Sequence, residues 1–243
     1  MNVREHLDIS SYLVVGPENT NGRPVTDIVR AAVRAGFTCV QIRSKVAGAR
    51  ELIDLTSQAA DVIAEEGRTG RTALVVDDRL DVVLAARHRG VAVDGVHVGQ
   101  SDIPVDVCRA ELGPDAVVGL SGRTHELLDY IATVDVTGID YFGVGPLHRT
   151  ETKPDCGLDV DGTVITRSLE EITRVCAASP IPVVVGGGVH LEDLAGLART
   201  GADGYFLVSA VAGATDPAAA ASALVAEWRR SLAAAGRATG TAS

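Results

Sequence analysis

Ala73-Leu74-Val75-Val76-Asp77-Asp78-Arg79-Leu80-Asp81-Val82-Val83-Leu84-Ala85-Ala86-Arg87-His88-Arg89-Gly90, followed shortly by Gly95-Val96-His97-Val98, decides the fold. A short β-branched run ends on acidic residues. Residues 80–89 then carry apolar side chains at three- and four-residue spacing. Gly90 stands where a helix C-cap is expected, and a second buried-strand pattern follows. The unit reads strand, helix, strand.

The same unit recurs in both directions. Strands are predicted at 12–15, 39–43, 73–77, 95–98, 117–120, 141–144, 182–185 and 204–208. Helices are predicted at 28–35, 49–66, 80–89, 105–112, 126–134, 169–177, 191–199 and 218–232, the last holding the single tryptophan, Trp228. Gly36, Gly113, Gly138 and Gly201 occupy cap positions like that of Gly90. Strict alternation implies an α/β protein with a parallel sheet. The chain has 243 residues, close to the roughly 250 typical of a closed barrel. A (βα)8 TIM barrel fits better than a doubly wound sheet. No Pro/Ser-rich linker divides the chain, so residues 1–243 form one domain, with a short N-terminal extension (1–10) and a flexible C-terminal tail (about 236–243).

Hydrophobic residues make up 46% and aromatics 3%, so the core is aliphatic, as strands buried on both faces require. The net charge of −10 disfavours a nucleic-acid surface. Cys39, Cys108, Cys156 and Cys176 form no CxxC and read as reduced thiols. The N-terminus has no signal-peptide core. No apolar run approaches the roughly 20 residues that cross a bilayer. A cytoplasmic protein without membrane contact is expected.

In such barrels the chemistry sits at the C-terminal strand ends. Strand two ends in Gln41-Ile42-Arg43-Ser44-Lys45, whose two cations suit an anion. Strand three ends in Asp77-Asp78, and strand four leads to Asp102. Carboxylates there suit Mg2+, though Asp is also a good helix N-cap. His97, between valines, reads as a satisfied core histidine. Ser121 ends strand five, as a substrate hydrogen-bonder or a cap. A long connection, 146–166, carries Thr150, Thr152 and Lys153; loops of that length are often functional. Strand seven ends in Gly186-Gly187-Gly188 and strand eight in Val208-Ser209, where these barrels often hold a phosphate. Two anion sites and a carboxylate pair suggest two phosphorylated substrates, one a diphosphate displaced from carbon by the other.

Taken in order, Gln41-Ile42-Arg43-Ser44-Lys45, Asp77-Asp78-Arg79, Gly95 to Asp102, Gly119-Leu120-Ser121, Asp140 to Pro146, Thr150-Glu151-Thr152-Lys153, Gly187-Gly188-Val189 and Gly201-Ala202-Asp203-Gly204 resemble the thiamine phosphate synthase family over roughly residues 12–216. The resemblance implies a transferase joining 4-amino-2-methyl-5-hydroxymethylpyrimidine diphosphate to 4-methyl-5-(2-phosphoethyl)thiazole, with thiamine phosphate and pyrophosphate as products. It implies that Asp78 and Asp102 bind Mg2+, and that Gln41, Arg43, Lys45, Asp77 and Lys153 meet the pyrimidine diphosphate. Ser121 meets the pyrimidine amine. Thr150, Thr152, Gly188, Val208 and Ser209 hold the thiazole phosphate. Lys153, Arg43, Lys45 and Ser121 form the catalytic group. Family members are often oligomers, which leaves a homo-oligomer open. Asp77 stands where the family usually has Asn. A thiazole tautomerase-like relative and a non-catalytic phosphate-binding barrel are the alternatives.

Overall fold

The computed structural model describes residues 3–122, 126–149, 163 and 165–237. Its strands are β1 (Ser11–Val15), β2 (Cys39–Ile42), β3 (Ala73–Asp77), β4 (Gly95–Val98), β5 (Val117–Ser121), β6 (Tyr141–Val144), β7 (Val183–Val185) and β8 (Gly204–Leu207). Its helices are α1 (Val25–Ala35), α2 (Ala49–Glu65), α3 (Leu80–His88), α4 (Val105–Leu112), α5 (Leu127–Thr133), α6 (Leu169–Ala178), α7 (Leu194–Arg199), α8 (Ser209–Ala212) and α9 (Pro217–Ala234). The strands pair in parallel, each with the next, and β8 returns to β1 to close the barrel. Among the described residues no helix is long and apolar enough to cross a membrane.

Two local departures from the sequence reading have simple causes. The helix expected over 191–199 opens as a 3-10 turn, Leu191–Asp193, because the Asp193 carboxylate turns back to accept the His190 N–H at 2.8 Å. The one-turn helix α8 precedes α9, whose start is fixed where the Asp216 carboxylate caps Ala219 N–H at 3.0 Å and Pro217 takes the first helical position.

Strand alternation sorts the core into two shells. Val40 and Ile42, Leu74 and Val76, and Val96 and Val98 pack outward against the helices. Tyr12, Val14, Cys39, Ala73, Val75, Val117, Tyr141 and Val184 point to the axis. The N-terminal segment is more than an extension. Ile9 is buried in the axial cluster, with Val3 and Leu7 packed against it. Arg4 bonds Asp140 at 2.7 Å and so fastens this floor to the barrel.

A repeated device finishes the barrel at the N-terminal strand ends. The residue just before each even-numbered strand accepts, through its side chain, an N–H of the strand before. Thr38 Oγ1 accepts Ser11 N–H at 3.2 Å, Asp94 accepts Leu74 N–H at 2.7 Å, Asp140 accepts Val118 N–H at 2.7 Å and Asp203 accepts Val183 N–H at 2.8 Å. Each satisfies a donor that the sheet ladder leaves over. Arg87 braces the Asp94 turn through the carbonyls of Val93, Asp94 and Leu112, and Arg109 pairs with Asp140 at 2.9 Å.

Burial pushes the Asp94 carboxyl up to about 6, against the opposing pull of Leu74 N–H and Arg87. A raised folded-state value means that the contribution is complete below about pH 4 and is lost as pH rises through about 6. Asp94→Asn keeps an acceptor oxygen and drops the charge. Its melting temperature relative to the parent is expected to rise between pH 4 and pH 7, by a stability difference of at most about 3 kcal/mol. Melting curves at both pH values check this, and a difference that stays flat or falls would refute it.

Candidate active site

The inward phase of each strand carries on into the barrel mouth. Gln41 follows Cys39, Asp77 follows Val75, His97 follows Gly95 and Ser121 follows Gly119, each two residues on. The mouth is therefore lined by polar side chains that continue rows of axial apolar or glycine positions.

One side of the mouth is a charged cluster. Arg43 Nε lies 3.1 Å from Asp77 Oδ2, and Lys45 Nζ lies 3.5 Å from the same oxygen. Lys45 also makes a close ion pair with Asp78. Asp77 is 8% exposed and Arg43 12%, whereas Lys45 is half exposed. Glu18 sets the loop from beneath by accepting the Ser44 hydroxyl and, at 3.1 Å, the Lys45 N–H. Partial burial works to raise the Glu18 carboxyl, but these hydrogen bonds outweigh it and hold Glu18 below its ordinary value.

Asp78 occupies a strained backbone position, with φ at +59°. Its N–H donates to His97 O at 2.8 Å, and Arg79 N–H donates to Asp77 O at 2.7 Å, closing a tight three-residue turn. Neither aspartate caps α3. Asp102 does not cap α4 either; its carboxylate accepts Gly99 N–H at 2.8 Å. Asp78 and Asp102 interact directly, and the two carboxyls move apart. Burial works to raise both. The Lys45 ammonium overrides burial at Asp78 and holds it below the usual range, while burial together with the Asp78 charge raises Asp102.

This pair suits a hard divalent ion. Two oxygen ligands that compete for positive charge are what Mg2+ needs, because it keeps several waters and takes the rest of its ligands from substrate phosphate. Among the described residues no group of three or more metal-binding side chains is present.

Across the mouth runs a chain of hydrogen bonds. Gln41 Nε2 donates to Tyr12 Oη at 3.0 Å, and the Tyr12 and Tyr141 hydroxyls lie 2.8 Å apart. Tyr141 Oη lies 3.1 Å from His97 Nδ1, and His97 Nε2 lies 3.0 Å from Ser121 Oγ. The His97 and Tyr141 rings stack with centroids 5.5 Å apart. Glycine makes the room: a Cβ on Gly119 would lie 2.2 Å from the Tyr141 ring and 2.5 Å from His97 Nδ1. His97 is thus satisfied, as its sequence setting suggested, yet its second partner is Ser121.

The third part of the mouth is the glycine turn. Gly187 and Gly188 have φ of +79° and +72°, and a Cβ on either would strike Pro146 or His148. Leu147 and His148 N–H groups donate to the Gly186 and Gly187 carbonyls. Among the described residues, no backbone acceptor takes the Gly187 or Gly188 N–H. Val208 and Ser209 follow β8, the neighbour of β7. Thr150, Thr152 and Lys153 lie outside the described residues, as does Cys156.

Sequence reasoning passed over Tyr12, Tyr141 and Glu18. The tyrosines carried one signal: two of only four in the chain stand at inward strand positions. Glu18 carried none, since it lies in a short 3-10 turn, Pro17–Asn19, far in sequence from Lys45.

The family model described as thiamine monophosphate synthase (TMP-TENI) matches residues 11–211. The thiamine-phosphate synthase of Moorella thermoacetica is 38% identical over 210 residues, 86% of this chain and 91% of that protein. The thiamine-phosphate synthase of Corynebacterium efficiens is 38% identical over 223 residues, 92% of this chain and 96% of that protein. The solved structure of thiamine phosphate pyrophosphorylase from Pyrococcus furiosus superposes with a TM-score of 0.74 at 28% identity, covering 92% of this chain and 97% of that one. A 3-hexulose-6-phosphate synthase, at 16% identity and a TM-score of 0.58, shares the fold. With its closed barrel and the ordered motifs at the strand ends, the chain belongs to the thiamine monophosphate synthase family.

Proposed function

We propose that this chain joins 4-amino-2-methyl-5-hydroxymethylpyrimidine diphosphate to 4-methyl-5-(2-phosphoethyl)thiazole, releasing pyrophosphate and forming thiamine phosphate. The observation that carries this reading is the cluster of Arg43, Lys45, Asp77, Asp78 and Asp102. Two cations face three carboxyls. Left alone, that set repels a diphosphate. With a divalent ion on the Asp78/Asp102 pair it becomes net positive and matches one.

In this reading Arg43, Lys45, Gln41 and Lys153 hold the diphosphate, and Asp77 orients Arg43 and Lys45. Asp78 and Asp102 hold Mg2+, which when bound supplies further positive charge to the leaving group. The C–O bond to the pyrimidine methylene breaks, and its electron pair leaves with pyrophosphate. The thiazole nitrogen lone pair then forms the new C–N bond to the resulting cation. Arg43, Lys45 and Lys153 favour the first event because negative charge on the departing oxygen grows in the transition state. Ser121 meets the aminopyrimidine. The N–H groups of Gly187 and Gly188, with Ser209, Val208, Thr150 and Thr152, suit the thiazole monophosphate. The two substrates are thus held from opposite sides of one mouth, which supplies proximity.

The test is pyrophosphate release from the two substrates together. Release is expected only with both present and to cease with chelator. Turnover of the thiazole alone, without pyrophosphate, would support a tautomerase instead, and tight binding of both without product a non-catalytic barrel. Asp78→Ala and Lys153→Ala are each expected to lower turnover by at least about tenfold, since the first removes a carboxylate that would hold the divalent ion and the second a positive charge on the diphosphate. Near-normal rates in both would sink these assignments. Asp77→Asn is expected to keep or raise activity, because it removes a negative charge beside Arg43; a collapse would show that Asp77 acts directly.

A further inference from the structure

The hydrogen-bond chain from Gln41 to Ser121 crosses five strands, in the order β2, β1, β6, β4, β5. Beyond Gln41, each hydroxyl and each ring nitrogen of the chain has at most one hydrogen to give, so the links are not independent. Gln41 Nε2 donates to Tyr12 Oη. With the Tyr12 hydrogen given to Tyr141 Oη, Tyr141 gives its own to His97 Nδ1. A histidine that accepts at Nδ1 carries its proton on Nε2, and that proton goes to Ser121 Oγ. Burial pushes both phenols well above their ordinary values, so both keep their hydrogens at neutral pH. The reverse polarity would make every member donate toward Gln41 and would use up the Ser121 hydrogen on His97.

We propose that Tyr12, Tyr141 and His97 are positioning residues that act as one polarised relay, fixing the Ser121 hydroxyl so that its hydrogen is offered into the barrel mouth. This rests on the reading of Ser121 as the contact to an aminopyrimidine. Such a ring presents a nitrogen acceptor beside its amine donor. A serine that already accepts from His97 can donate to that ring nitrogen and still accept from the amine through its remaining lone pair. A serine of the opposite polarity could only accept. The relay therefore decides whether Ser121 meets the ring nitrogen as well as the amine, from Gln41 and Tyr12 on β2 and β1. Gly119 keeps the relay in place, since any larger residue there would displace both Tyr141 and His97.

Two measurements test this separately. The first uses the unliganded full-length protein carrying 15N-histidine, at mildly alkaline pH, with the His97 signals identified by their loss in His97→Gln. The expected state has the proton on Nε2 and none on Nδ1, and Tyr141→Phe shifts the Nδ1 resonance by removing its donor. A proton on Nδ1 or on both nitrogens, or no response to Tyr141→Phe, overturns the proposal whatever the protein catalyses. The second is a double-mutant cycle. Tyr12→Phe, three links from Ser121, is expected to lower kcat/KM for the pyrimidine diphosphate about three- to tenfold with the thiazole KM unchanged. In a Ser121→Ala background it is expected to change nothing further. Equal losses in both backgrounds, or a loss shared with the thiazole KM, would mark a packing defect and overturn the relay. Absence of pyrophosphate release from the parent protein would instead sink the proposed reaction and leave the tautomer measurement to decide the relay.

Discussion

Two phenol oxygens, Tyr12 and Tyr141, meet 2.8 Å apart inside the barrel, and much of the molecule is arranged to allow it. A closed barrel must fill its axis, yet a chain with 3% aromatic residues has few large groups to spend there. Tyr12, Tyr141 and Phe206 take that role, with Tyr12 packed on both others at centroid distances of 5.9 and 6.2 Å. The facing positions are then forced to be small. Gly119 clears Tyr141 and Gly186 clears Phe206. Burying phenols in an aliphatic shell demands hydrogen-bond partners, and these lie across the barrel in Gln41, in each other and in His97. The polar chain that reaches Ser121 follows from the need to pack the centre.

The charged side of the mouth obeys a second balance. Arg43 and Lys45 are held by carboxylates, and those carboxylates compete with one another for the available positive charge. The cluster is ordered without being neutralised, so an incoming diphosphate and its counter-ion exchange partners with groups already in place. Preorganisation of this kind is where electrostatic catalysis derives its strength. The turn at Asp78, with its positive φ, is the strained element that aims one of those carboxylates.

Much of this was legible in the chain. The bounds of β3, β4, β6 and α4 agree with the sequence reading to the residue, because each is a β-branched or periodic run bounded by glycine, proline or acid. The same two-residue period that buries Val75 delivers Asp77 to the mouth, so the place of Gln41, Asp77 and Ser121 could be read by counting. What could not be read was partnership. Tyr12 and Tyr141 are 129 positions apart, and nothing local distinguishes a hydrogen-bonded core tyrosine from a packed one. His97 looked like a core residue because its neighbours are valines, although alternation points it away from them. The Asp193 turn that shortens α7 depends on a side chain folding back, which periodicity does not register.

The acceptors ahead of β2, β4, β6 and β8 tie each even strand to the odd strand before it. They mark the barrel as four two-strand quarters rather than eight equal staves. A backbone opened between α2 and β3, between α4 and β5, or between α6 and β7 leaves every acceptor in the same piece as its donor. One opened between β3 and β4 parts Asp94 from Leu74. The boundaries at which this chain could be permuted, exchanged with a relative or rebuilt from fragments are therefore set by four side chains on the floor, at the opposite end of the strands from any ligand.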